Sequence, residues 1–321
     1  MKISVVLCTY NGEKYIEKQL KSICSQIISV DELIISDDFS QDNTLLIAEQ
    51  FLCQQSISYR IVKNSNRGVC NNFLNALKLT KGDIIFFSDQ DDIWMSNKTE
   101  VIMSYFQKDD HVSLVCTNAV LIDNDKNVLG DLYSSIGFNQ TQDQDDIFHR
   151  VLKKPFVTGA TMAIRRELYE KALPFSKHML HDQWLSYIAA CDNGIYISSE
   201  KLIYYRQHGE NLVGVDKGIC ERFVKLKRRI SCGKVDNYGE RLLFGYLDLK
   251  QYLIAHNADR NYQTLVDDFI EFWKIRTEFK TMSLFDVRQV IKKSKKDYCK
   301  YSTTMNPAYE YLKYFLLKFM K

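Results

Sequence analysis

The chain has 321 residues, 45% apolar and 26% charged, with a net charge of +3: ordinary soluble globular composition, with room for one large domain or two modest ones. No run of about 18 apolar residues occurs, which excludes a membrane span. Nine cysteines without a Cys-x-x-Cys pair argue against a zinc site or a disulfide framework and for free thiols in a reducing cytosol. The charge is uneven: residues 1–214 carry 21 basic and 27 acidic side chains, residues 215–321 carry 22 and 13. Two regions with different tasks are expected, divided near 214.

Ile3–Cys8 is apolar from the outset, without a charged leader, and reads as a strand in a cytoplasmic protein. A helix is predicted over Gly12–Gln26, with Tyr15, Ile16, Leu20 and Ile23 on one face. Leu33–Ser36 is a second strand closing on Asp37 and Asp38, and Asp42–Cys53 is helical. Tyr59–Val62 forms a third strand, Asn66–Gly68 a turn and Val69–Leu79 a helix. Ile84–Ser88 is the fourth strand, a greasy run without alternation, as expected of a strand covered on both faces of a parallel sheet. This βαβαβαβ order predicts a doubly wound, Rossmann-like, mostly parallel sheet of right-handed connections. Ser113–Ile122, Pro155–Ile164 and Ile203–Arg206 read as further strands and His181–Ala190 as a helix. Beyond Gly214 helices are predicted near 218–230, 238–256, 260–279, 284–299 and 307–320.

Polar residues gather where the strands end: Thr9, Tyr10 and Asn11, then Asp37 and Asp38, then Asp89, Asp91 and Asp92. Open α/β sheets bind ligands at the carboxyl ends of their strands, so three such tips describe a site. Carboxylates this close repel one another, and a hard cation, Mg²⁺ or Mn²⁺, removes the conflict and bridges to phosphate. An acidic surface turn is the competing reading; Asp92 also reads as a cap for a helix starting near Ser96, and Trp94 as a packing wedge. No Gly-x-Gly-x-x-Gly or Gly-x-x-x-x-Gly-Lys occurs, which disfavours a dinucleotide dehydrogenase and a P-loop enzyme.

The stretches VVLCTYNGEKYI (5–16), LIISDDFSQDNT (33–44), GDIIFFSDQDDIW (82–94), TGATMAIRREL (158–168), HDQW (181–184) and YYRQHGENLVG (204–214) together resemble family 2 of the inverting glycosyltransferases. The wording SDQDDIW and HDQW is similar to members that build bacterial surface polysaccharides, often described as rhamnosyltransferases. The resemblance implies a GT-A fold over residues 1–214. It also implies a nucleoside-diphosphate sugar donor, UDP- or dTDP-linked, and a glycan or lipid-linked acceptor. Asp89 would then hold ribose or a metal-bound water, Asp91 the cation, and His208 would complete the metal or pyrophosphate site. Asp182 would be the catalytic base, in a place where the family usually shows Glu-Asp and this chain shows His181-Asp182. The residues add their own chemistry. Thr9 and Tyr10 offer a hydroxyl and a stacking face, and Asp38 an acceptor for the N3–H of uracil or thymine. Asp37 is expected to hold the loop. Gly159 would let backbone approach a sugar, or serve a tight crossing in the sheet, and Arg206 would pair with phosphate or with a structural carboxylate.

The second region is strongly basic. Lys217–Arg229 and Arg288–Lys300 are cationic runs, and the last segment confines Glu310, Lys313, Lys318 and Lys321 to one arc of a helix otherwise apolar. This reads as an interfacial surface for the anionic inner leaflet of a membrane, or as a helical cap on the catalytic domain. No nucleic-acid motif accompanies it. Two rival functions remain at this level. One is a sugar-nucleotide nucleotidyltransferase, against which stands the lack of a Gly-rich basic loop after the first strand. The other is an inactive, glycosyltransferase-like scaffold subunit.

Overall fold

A computed structural model describes residues 1–138, 144–207 and 238–301, together with Glu310, Tyr311, Tyr314 and Phe315. The chain divides into two compact units. The first comprises Met1–Ile147, Phe156–Pro174 and Leu180–Val215; the second comprises Phe148–Pro155, Phe175–Met179 and Asp216–Lys321. Two short segments from before residue 214 therefore go with the helical unit.

The first unit opens as the sequence predicts. Strand β1 (Ile3–Thr9) is followed by α1 (Ile16–Cys24), β2 (Glu32–Asp37), α2 (Thr44–Leu52), β3 (Ser58–Lys63), α3 (Val69–Leu77) and β4 (Ile84–Asp89). β1 is buried at every position and β4 at all but its last, because helices cover both faces, whereas β3 at the sheet edge alternates in exposure. Helix α1 buries Ile16, Leu20 and Ile23 at helical spacing, and fully burying each such side chain contributes roughly 1.5–3 kcal/mol. It starts later than periodicity indicates because Gly12 and Glu13 form a turn whose N–H groups donate to Thr44 Oγ1 (2.7 Å) and Asp42 Oδ2 (3.1 Å).

The chain continues through β5 (Ile93–Trp94), α4 (Lys98–Lys108), β6 (Leu114–Ile122), β7 (Val128–Asp131), α5 (Leu132–Ser135) and α6 (Gln144–Lys153). Then come β8 (Met162–Arg165), α7 (Arg166–Lys171), α8 (His181–Cys191) and β9 (Ile195–Arg206). The sheet runs β3-β2-β1-β4-β8-β6-β9-β5, with β7 on β6. Strands β3, β2, β1 and β4 are mutually parallel, while β8 is antiparallel to β4 and β6, and β6 is parallel to β9. The strand expected over Pro155–Ile164 starts only at Met162. Before it, Gly159–Thr161 forms a 3-10 turn closed by the Thr161 N–H on the Thr158 carbonyl at 2.9 Å. The final strand is longer than Ile203–Arg206, since Ile195–Ile197 pairs along β6. The Asp92 cap expectation is also corrected. Helix α4 begins at Lys98 after Asn97, and Asp92 is 1% exposed with Oδ1 accepting the Arg206 N–H.

The second unit is helical: α9 (Tyr238–Ala255), α10 (Arg260–Thr277), α11 (Leu284–Lys293) and α12 (Lys295–Tyr301). Leu242, Tyr246, Leu249 and Leu253 line the buried stripe of α9, and Val266, Phe269, Phe272 and Trp273 that of α10. The helix predicted over 284–299 is two, parted at Ser294. The segments 218–230 and most of 307–320 lie outside the described residues.

Candidate active site

Parallel register brings the strand tips level. Thr9 on β1 stands beside Asp37 on β2, and Cys8 beside Asp89 on β4. Above them opens a cleft of about 260 Å³ lined by Thr9, Tyr10, Asp38, Asp89, Asp91, Gly159 and Asp182, with Phe73, His181 and Tyr205 among its other walls. Residues as far apart as Thr9 and Tyr205, 196 positions along the chain, thus converge on one cavity.

Each tip is held by its own bonds. Asp37 is buried and accepts from Thr9 Oγ1 (2.7 Å), Ser40 N–H (2.9 Å) and Ser40 Oγ (2.5 Å), so it fixes the loop and engages the Thr9 hydroxyl. Asp38 accepts from Asn64 Nδ2 at 2.8 Å and the Gly68 N–H at 2.9 Å, which orients the carboxylate and leaves acceptor capacity for a ligand. Tyr10 is 52% exposed, its ring at the mouth of the cleft. Sequence reasoning missed Gln90, whose amide clamps the Tyr10 backbone through two bonds of 2.8 Å. A Cβ on Gly12 would stand 2.2 Å from Gln90 Oε1, so glycine there makes room for the clamp. It missed Asn72 as well, 2% exposed, which lines the cleft and whose Nδ2 donates to the Thr9 carbonyl at 3.3 Å.

The acidic turn is electrostatically loaded. Burial, then Asp91 and Asp182, push the Asp89 carboxyl up to about 7. Burial, Asp91 and Asp89 push Asp92 well above the carboxylate range, and its Oδ2 is without a hydrogen-bond partner among the described residues. Hard oxygen donors in excess of positive charge suit a divalent cation completed by phosphate oxygens. Among the described residues no three His, Cys, Asp or Glu side chains are gathered tightly enough to hold a metal alone. His208 lies outside the described residues.

Arg206 is left by the sequence to pair with phosphate or with a structural carboxylate. It is 2% exposed, and its guanidinium donates to the carbonyls of Asp91 (2.9 Å), Asp123 (2.9 Å) and Asn124 (3.2 Å). Buried on backbone carbonyls, it braces the acidic turn from beneath.

Asp182 sits in the first turn of α8, half-buried, after Leu180 as the capping position. Its Oδ1 accepts the Gln183 N–H at 2.7 Å and its Oδ2 the Gly159 N–H at 3.1 Å. Gly159 approaches closely: a Cβ there would lie 3.0 Å from His181 Nε2 and 3.8 Å from Asp182 Oδ2. The His181 ring stacks on Phe73 with centroids 4.0 Å apart, and burial lowers its pKa, which favours the neutral imidazole.

The model of glycosyl transferase family 2 matches residues 4–173, more than half of the chain. The chain belongs to this family of glycosyltransferases. It is 33% identical over 239 residues to the dTDP-rhamnosyl transferase RfbG of Shigella flexneri, a match covering 68% of this chain and 78% of that one. It is 28% identical over 197 residues to WfgD of Escherichia coli, a UDP-Glc:alpha-D-GlcNAc-diphosphoundecaprenol beta-1,3-glucosyltransferase, covering 60% and 71%. An uncharacterized Nostoc glycosyltransferase is 29% identical over 66% of both chains. Among solved structures, S. aureus TarS in complex with UDP-GlcNAc superposes with a TM-score of 0.53 at 20% identity, over 79% of this chain and 73% of TarS. The mannosyltransferase PcManGT from Pyrobaculum calidifontis, in complex with GDP-Man and Mn²⁺, gives 0.53 at 16% identity over 100% and 88%. These likenesses bear out the GT-A architecture.

Proposed function

We propose that this family member is a metal-dependent inverting glycosyltransferase. It moves a sugar from a UDP- or dTDP-linked donor, dTDP-rhamnose foremost, to a hydroxyl of a lipid-linked glycan in bacterial surface-polysaccharide assembly. The observation that carries the reading is the convergence of Asp38, Asp89, Asp91 and Asp182 on one cleft at the carboxyl ends of parallel strands. The thymidine-linked donor is supported by the likeness to RfbG, and the lipid-linked acceptor by the likeness to WfgD.

In this reading Tyr10 stacks on the base, Asp38 accepts its N3–H and Asp89 holds the ribose hydroxyls. Asp91, with His208, would hold Mn²⁺ or Mg²⁺; the cation supplies positive charge against the diphosphate leaving group. Gly159 leaves room for the sugar beside His181. Asp182 takes the proton of the acceptor hydroxyl as its oxygen bonds to the anomeric carbon from the face opposite the diphosphate. The bond to the diphosphate oxygen breaks, the electron pair leaves with it, and the centre inverts.

Among the described residues no helix is long and apolar enough to cross a membrane. Arg288, Lys292, Lys293 and Lys296 are exposed on α11 and α12, which supports a peripheral position on an anionic inner leaflet. A thermal-shift panel of nucleoside-diphosphate sugars with and without Mn²⁺ tests the donor and the metal together. Stabilisation by a thymidine or uridine donor that depends on Mn²⁺ is expected. No stabilisation by any donor in the panel overturns the reading.

A further inference from the structure

Beneath the acidic turn lies a lysine that the proposed chemistry leaves unused. Lys98 is the first residue of α4 and is 0% exposed. Lysines are almost never this deep without partners. Its Nζ donates to the Ala160 carbonyl at 2.8 Å and lies 4.0 Å above the Trp94 ring, and the Asp92 and Asp89 carboxylates favour its charged form. The bond to Ala160 lands on the short turn Gly159–Thr161, and the residue before Ala160 gives its N–H to Asp182 Oδ2. The lysine is therefore one bond from the turn that holds the carboxylate assigned as base.

We propose that Lys98 is a positioning residue for catalysis: by anchoring the Ala160 carbonyl it fixes the Gly159 N–H, and through it the Asp182 carboxylate, facing the acceptor hydroxyl. The inference rests on the reading of Asp182 as the base. The arrangement favours this task over charge balance alone. A lysine serving only Asp89 and Asp92 needs no directed bond to a backbone carbonyl on another segment. A lysine serving only as packing would be replaced by an apolar residue at no loss of function. The turn carries no bulky side chain of its own to set its place: Gly159, Ala160 and Thr161 are small, and it is held by bonds from outside, Lys98 on the Ala160 carbonyl and Thr117 Oγ1 on the Thr161 carbonyl at 3.3 Å.

A double-mutant cycle on the full-length chain separates the possibilities: kcat and donor KM of the wild type, Lys98→Met, Asp182→Asn and the double variant, with folding checked by circular dichroism. Lys98→Met is expected to lower kcat by about 10- to 100-fold, the cost of a misplaced catalytic group, with donor KM changed less than about threefold. In the Asp182→Asn background the same change should cost less than about twofold, because the group it positions is already disabled. Equal losses in both backgrounds overturn the inference while the base assignment stands. A loss confined to donor KM overturns it too, in favour of charge balance on the diphosphate side. Wild-type turnover in Asp182→Asn alone overturns the base assignment and this inference with it. Should Lys98→Met fail to fold, Lys98→Gln, neutral and still a donor but too short to reach, completes the same cycle.

Discussion

Buried charge is handled in opposite ways in the two units. In the sheet unit, Asp89, Asp91, Asp92 and Asp182 bear on one another with the same sign, offset only in part by Lys98, and burial raises the cost of ionising Asp89 and Asp92. In the helical unit, Arg276 and Glu310 are 2% and 0% exposed and pair with opposite signs at 3.5 Å. Arg276 also donates to the Phe272 carbonyl (2.8 Å) and Ser294 Oγ (3.1 Å), and Tyr298 donates to Glu310. A cluster whose carboxylates exceed its counter-charge invites completion from outside, whereas an opposite-sign pair carries its own counter-charge. The first is the signature of a site and the second of a scaffold.

The contrast is broken most directly through Asp182. Asp182→Asn is expected to lower turnover by roughly 10²- to 10⁴-fold while nucleotide-sugar binding and thermal stability stay near wild type. Retained turnover would make Asp182 one more fold-holding carboxylate. Arg276→Met should show the mirror image, a loss of about 3–5 kcal/mol in unfolding free energy with kcat per folded molecule unchanged, because Glu310 is left buried without its counter-charge. Removing both charges together should recover most of that loss. A cost under about 1 kcal/mol for the single change would remove the scaffold half of the comparison.

The same distinction explains how much was legible beforehand. The parallel half of the sheet was readable because each strand is a β-branched or aromatic run ending in a polar tip, and the tips of β1, β2 and β4 define the cleft. Three of the carboxylates lining it, Asp38, Asp89 and Asp91, were readable for the same reason, whereas Asp182 lies in the first turn of α8 and was found through the HDQW wording. What stayed hidden are contacts that no local pattern encodes. Thr158-Gly159-Ala160-Thr161 fits a strand or a turn equally well by composition, and only the closing bond on the Thr158 carbonyl decides. Arg206 suits a phosphate or a carboxylate by type, and the carbonyls to which it donates lie 82 to 115 positions away. No local pattern marks Lys98, because Ala160, its partner, is 62 positions on. That 148–155 and 175–179 go with the helices is likewise unreadable, since periodicity reports a buried face but not what buries it.

The smallest expected effect is also the sharpest probe of the like-sign cluster. The Asp89 carboxyl is pushed up to about 7, first by burial and then by Asp91 and Asp182, against about 3.9 in an unfolded chain. Between those values the native protein keeps a proton that the unfolded chain has lost, so this group's contribution to stability is complete below about pH 4 and declines as pH rises toward 7. Asp89→Asn removes the dependence. In chelator-treated buffer the Tm of the variant relative to wild type should therefore rise from pH 4 to pH 8. Mn²⁺ with a donor nucleotide should narrow the gap at pH 8, because a cation favours the ionised carboxylate that wild type alone retains. A difference in Tm that stays constant with pH would mean that Asp89 ionises in the fold as easily as in water. The cluster would then be compensated from within, and the line drawn between site and scaffold would lose its physical basis.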